Sequence, residues 1–257
     1  MRLGLALSGG AARGIAHIGA LKAFEERGIN FDVVSGCSAG AMVGAMYCAG
    51  YSPEEMMNIV RSLRVPKMIH FAWSRKGVFN LQKIMKLVEK YLPANRFSAL
   101  NKKFFINATN LTTGKEQIFG TGELFRPLLA SCAIPVLFEA VDFNGQMYID
   151  GGFSNNLPVD PLVGHSDIIF GVNVTSIEKD HDIGKKDMRY IFLRSVMFLA
   201  DGAARPSKGK CDYLVEPKGL VKFHPLELHH VDDIFEMGYK YTSNYLDNQD
   251  LSDIMVG

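Results

Sequence analysis

The chain has 257 residues, 47% of them hydrophobic, and a formal net charge of +1. That length and apolar content suit one large α/β domain over residues 1–257, and no run nears the roughly 18 uncharged apolar residues of a membrane-spanning helix. Met1 leads into strand-forming residues without a leader pattern. The four cysteines (Cys37, Cys48, Cys132, Cys211) lack both metal-ligand spacing and the density of a disulfide scaffold. A reduced, cytoplasmic chain is expected.

Leu3 to Ser8 reads as a strand that runs into the Gly-rich stretch Gly9 to Gly14. Residues 15–27 repeat at helical spacing and end at Gly28, a C-cap. A strand over 31–35 enters Gly36-Cys37-Ser38-Ala39-Gly40, which leaves through a small-residue helix over 39–49. Ser52-Pro53-Glu54-Glu55 marks an N-cap with proline in the first turn, opening a helix to about Leu63. Residues 65–80 read as irregular, with Phe71, Trp73 and Phe79 among cations, and 81–91 as an amphipathic helix stopped by Pro93. Strands follow at 104–110 and 116–119, then a helix over 123–131. A hairpin over 140–149 turns at Asn144-Gly145, a pair suited to a type I′ turn, and delivers Asp150-Gly151-Gly152. The apolar run 167–174 fits a buried parallel strand. A helix over 187–203, a short strand at 213–215 and a final helix from about 231 complete the chain. Strands alternating with helices predict a mostly parallel sheet covered on both faces.

Three short motifs carry chemistry. A G-x-S-x-G pentapeptide between strand and helix holds its serine on a tight turn, with the hydroxyl presented at a strand end; here that serine is Ser38. A Gly-rich loop between strand and helix turns backbone N–H groups toward an anion. The loop is no dinucleotide fingerprint, because its third position is Ala11 and no acid ends the next strand. Asp150 is either a turn aspartate before two glycines or the base that takes the Ser38 proton. Five of the seven histidines follow Asp150, in the order of an α/β-hydrolase triad, but none sits in a motif.

Taken together, Gly9-Gly10-Ala11-Ala12-Arg13-Gly14-Ile15-Ala16-His17-Ile18-Gly19, Gly36 to Gly40 and Asp150-Gly151-Gly152 resemble the patatin-like phospholipase family, particularly its small bacterial members. The linking pieces Ser131 to Pro135 and Asn156-Leu157-Pro158 match too, so the resemblance runs from Leu3 to about Tyr245. It implies a three-layer α/β/α fold with a mostly parallel central sheet. It further implies a Ser38–Asp150 dyad with no histidine, and an oxyanion loop at Gly9, Gly10, Ala11 and Arg13 whose likeliest donors are the amides of Gly10 and Ala11. Ala11 stands where the family often has glycine, and alanine is comfortable only at negative φ. Arg13 would anchor the loop, meet a phosphate or form a structural salt bridge.

Such a dyad would hydrolyse fatty-acyl esters of phospholipids or related lipids through an acyl-enzyme. Its rivals are a soluble carboxylesterase or thioesterase on small acyl esters and a vestigial lipid-binding protein. An ordinary aspartate is a weaker base than histidine by roughly 2.6 pKa units, about 3.5 kcal/mol, whereas one oxyanion donor is worth about 2.7–4 kcal/mol. No cofactor and no metal are implied. From Arg61 to Lys103 eleven cations meet one acid, Glu89; from Glu227 to Asp253 seven acids meet one cation, Lys240. The basic segment 61–103 suits either peripheral contact with an anionic membrane surface or a solvated flap over the site. No nucleic-acid motif accompanies it, and nothing fixes an oligomeric state.

Overall fold

A computed structural model describes residues 1–62, 81–178, 188–223, 229–252 and 254. Most of the irregular basic stretch, with Phe71, Trp73 and Phe79, lies outside the described residues, as do His181, His224 and Asp253. In chain order the elements are β1 (Leu3–Leu7), a 3-10 turn (Ala11–Gly14), α1 (Ile15–Glu25), β2 (Val33–Gly36), α2 (Ala39–Ala49), α3 (Pro53–Ser62) and α4 (Leu81–Tyr91). There follow β3 (Lys103–Asn110), β4 (Glu116–Phe119), α5 (Phe125–Ser131), β5 (Val141–Phe143) and β6 (Gln146–Asp150). The last are β7 (Ile168–Val172), α6 (Met188–Lys208), β8 (Tyr213–Val215) and α7 (Val231–Asp247).

The strands join in one sheet, in the order β5-β6-β3-β2-β1-β7-β8, with β4 also on β3. Pairings among β1, β2, β3, β7 and β8 are parallel, and those of β4, β5 and β6 antiparallel. Alternation along β1 assigns its two faces. Leu3, Leu5 and Leu7 enter a core with Ile18 and Phe24 of α1, Ala41 of α2 and Ile234 of α7. Ala6, one residue out of phase, packs with Leu157, Leu162 and Ala204 of α6. Helices therefore cover both faces, and the sheet is the middle of three layers.

Two local solutions fix the layers. A Cβ at Gly19 of α1 would collide with the Phe235 carbonyl, and one at Gly238 of α7 with that of Ala16, so these glycines let the helix backbones touch. Each costs about 1 kcal/mol of helix propensity, which the close packing offsets. Asn144 and Gly145 take φ of 53° and 72°, the two left-handed residues of a type I′ turn, and set the β5–β6 register. One expected boundary moves: α6 runs on to Lys208, past Gly202. Asp201 accepts from Arg205 (3.3 Å) and Lys208 (2.8 Å), tying the last turns together.

The register of β3 positions the site. Ile106 pairs with Gly36 of β2 and Phe119 of β4, while Ala108 pairs with Gln117 of β4 and Asp150 of β6. A strand has two edges, so β2 and β6 share the edge opposite β4. Where β2 ends at Gly36, β6 takes over that edge two residues further along, which sets Asp150 beside the chain leaving β2.

Candidate active site

Ser38 sits between β2 and α2 with φ 51° and ψ −121°, a conformation that costs about 1–3 kcal/mol for a non-glycine residue. Its neighbours enforce it. A Cβ at Gly36 would lie 2.6 Å from the Gly40 carbonyl oxygen. A Cβ at Gly40 would collide with the carbonyls of Leu7 and Ser8 at the end of β1. Two side chains are thus deleted so that strand, turn and helix can close on one another. The Ser38 N–H donates to Ser131 Oγ (2.8 Å) and the Cys37 N–H to the Leu7 carbonyl (3.0 Å), so the turn is held from both sides.

Asp150 is buried at the end of β6. Its Oδ1 accepts from the Gly152 N–H (2.8 Å) and lies 3.9 Å from Cys37 Sγ. A Cβ at Gly151 would collide with Asn107 Oδ1, and one at Gly152 would sit 2.8 Å from Asn156 Oδ1. The two glycines after the aspartate therefore make room for the asparagines around it. Burial raises the Asp150 carboxyl to about 6, against the lowering pull of Ser38, Gly152 and Cys37. Oδ2 is buried with no hydrogen-bond partner of ordinary geometry, and the Ser38 side chain lies close enough to pull the carboxyl down. The expected base deficit against histidine shrinks accordingly, to about half a pKa unit.

The loop after β1 departs from expectation at Ala11 and selects one of the alternatives at Arg13. The Gly9 N–H is spent on the Asn156 carbonyl (3.2 Å), so Gly9 is no oxyanion donor. Ala11 takes φ 49°, not the negative φ at which alanine is comfortable, at a cost of roughly 1–2 kcal/mol. Arg13 is buried, and its guanidinium donates to the carbonyls of Phe223 (3.2 and 3.3 Å) and Val221 (3.4 Å). It anchors the loop to the 220–223 segment. The amides of Gly10 and Ala11, ahead of the first turn of the 3-10 helix, have no acceptor among the described residues. A Cβ at Gly10 would lie 2.5 Å from Val174 Cγ2, so only glycine fits there.

Ser38, Asp150, Gly9, Gly10 and Ala11 line one cleft, whose remaining wall is largely apolar: Ile134, Phe153, Val196, Met197, Leu199 and Ala200. Three of the described histidines are engaged elsewhere. His17 is buried against the Ser8 carbonyl (2.8 Å), and burial lowers it to about 4; His165 lies by Lys103 and His230 by Asp233. Among the described residues no group of His, Cys, Asp or Glu is placed to hold a metal ion, and no helix is long and apolar enough to cross a membrane. Sequence reading missed the parts played by Ser131, Asn156 and the α6 wall. The first two lie in segments noticed only as links between motifs, and α6 showed only helical periodicity.

Residues 5–163 match the model of the family described as patatin-like phospholipase. The chain is 31% identical over 183 residues to lysophospholipase NTE1 of Candida glabrata, covering 68% of this chain and 11% of that protein. It is 26% identical over 283 residues to lysophospholipase nte1 of Aspergillus niger, covering 95% of this chain and 18% of that one. The chain thus spans under a fifth of the length of these relatives. Among solved structures, VipD from Legionella pneumophila aligns with a TM-score of 0.56 at 16% identity, over 96% of this chain and 67% of that one, a likeness of fold.

Proposed function

The chain belongs to the patatin-like phospholipase family, and from that premise we propose that it is a serine lipid acyl hydrolase, acting as one catalytic domain on fatty-acyl esters of phospholipids or lysophospholipids. The observation that carries this reading is the meeting of a strained Ser38 with a buried Asp150 whose Oδ2 is unpartnered. Asp150 Oδ2 takes the proton as Ser38 Oγ attacks the ester carbonyl, and the Gly10 and Ala11 amides receive the oxyanion. Collapse returns the proton to the leaving alcohol and leaves an acyl-Ser38. Water, activated by the same carboxylate, then releases the fatty acid. An ester suits this base better than an amide, because an alkoxide needs less acid assistance than an amine. The apolar wall from Ile134 to Ala200 presents a surface of the kind an acyl chain packs against, and the relatives bear lysophospholipase names.

The test pairs a p-nitrophenyl ester series, from acetate to palmitate, with labelling by a fluorophosphonate. Wild type should turn over esters and gain one phosphonate on Ser38. Ser38→Ala should lose turnover by about 10⁴-fold or more and stay unlabelled while folded. Retention of more than a small fraction of the activity by S38A would remove the assignment. The chain-length optimum separates a lipid hydrolase from a small-ester hydrolase.

A further inference from the structure

The outer face of α6 is unusual for a surface helix. Positions 188, 191, 195, 198, 199 and 202 recur every three or four residues and so share one face. Met188, Ile191, Phe198 and Leu199 on it are 78%, 45%, 46% and 60% exposed. Ser195 and Gly202 complete the face without a charge, and the Ser195 hydroxyl is turned back onto the Ile191 carbonyl (2.9 Å). The opposite face is buried through Leu193, Val196, Met197 and Ala200. The helix is therefore apolar on both sides, and exposed apolar residues clustered in this way mark an interaction surface.

Two observations identify the occupant. First, Leu199 belongs both to the exposed face and to the cleft that holds Ser38 and Asp150. The apolar surface thus runs without a break into the acyl-chain wall. Second, Val136 is 59% exposed and held at φ 71°, a conformation that is a genuine outlier for a β-branched residue. Its neighbours Ile134 and Leu137 pack against Leu193, Val196 and Met197 of α6. Beside the face, the buried Arg194 guanidinium lies 5.0 Å from the Phe198 ring centroid and donates to the Glu178 carbonyl (2.8 Å), while Arg205, with a side chain 72% exposed, is paired with Asp201.

We propose that the outer face of α6, together with Val136, is the surface by which the protein settles on a phospholipid aggregate, one acyl chain passing over Leu199 into the cleft. This rests on the acyl-hydrolase reading and adds to it the route by which substrate arrives. Apolar residues supply burial in the aggregate. Two cations of the basic segment 61–103 are engaged within the fold. Arg61 is paired with Asp232 (2.6 Å) and Lys102 donates to the Phe31 carbonyl (2.8 Å).

The experiment compares wild type, S38A and the triple variant Met188→Gln/Ile191→Gln/Phe198→Gln, none of whose three positions lines the cleft. Each is tested for co-sedimentation with phosphatidylcholine vesicles containing phosphatidylglycerol, for hydrolysis of soluble p-nitrophenyl butyrate, and for its size in solution. Wild type and S38A should pellet with vesicles. The triple variant should lose partitioning by about 10- to 100-fold while keeping butyrate turnover. Equal pelleting of the triple variant overturns the proposal, as does a wild type that ignores vesicles but forms a dimer that the triple variant dissolves. If no ester from acetate to palmitate is hydrolysed yet pelleting falls as expected, the docking surface stands and the hydrolase reading fails.

Discussion

The floor of the cleft and its α6 wall are built by opposite means. On the floor, Gly10, Gly36, Gly40 and Gly152 each stand where a Cβ would strike a neighbour. Ser38 and Ala11 are held at positive φ, and the Ser38 N–H and Asp150 Oδ1 each have a named partner. The wall is made of exchangeable apolar side chains, with Leu199 half in the cleft and half in solvent. Chemistry needs atoms placed to a fraction of an ångström, whereas an acyl chain is held by burial, which has no direction. The floor should therefore fail sharply when touched, and the wall should fail gradually.

Gly10→Ala is the most severe test of the floor short of removing the nucleophile. Its new methyl would meet Val174 Cγ2 at 2.5 Å, so the loop must move and carry the amide with it. Loss of one oxyanion donor predicts a fall in kcat of about 10²–10³-fold, with a stability cost of about 1–3 kcal/mol. Steady-state kinetics and a thermal melt check both. A variant with unchanged kcat would mean that the oxyanion is received elsewhere.

Ser131→Ala should act less strongly. It removes the acceptor of the buried Ser38 N–H, a loss of about 1–3 kcal/mol, and relaxes the turn that presents the hydroxyl. We expect kcat to fall about 10- to 100-fold with KM for a soluble ester little changed. A rise in KM at constant kcat would instead make Ser131 part of substrate binding.

These two residues also show where sequence reading stops. Gly10 was legible as part of the loop, because a Gly-rich strand-to-helix turn announces its exposed amides. Ser131 was not, since its role depends on a contact across 93 positions of sequence and nothing in its own neighbourhood requires it. Ser38 and Asp150 were legible because each lies in a turn motif, and the parallel sheet was legible from the alternation of strands and helices. The edge-sharing of β2 and β6, which brings that pair together, is a property of the β3 register alone. Ala11 shows the reverse case. Local propensity argued for negative φ, and the surrounding structure overrode it. The outer face of α6 was hidden for a third reason: an apolar residue contributes the same periodicity whether it faces a core or a surface.

Asp150, raised to about 6 by burial, is the base we propose. Its folded value lies above its ordinary 3.8, so folding favours the protonated acid. That contribution to stability is fully present below about pH 3.8 and is lost as pH rises through about 6. Catalysis needs the opposite form. The direct measurement is the pH dependence of kcat/KM for p-nitrophenyl butyrate in wild type and Asp150→Asn. An acid limb with its midpoint near pH 6 is expected in wild type, and residual activity without that limb in D150N. An unchanged limb in D150N, or wild-type activity comparable to that of D150N at every pH, would contradict that role.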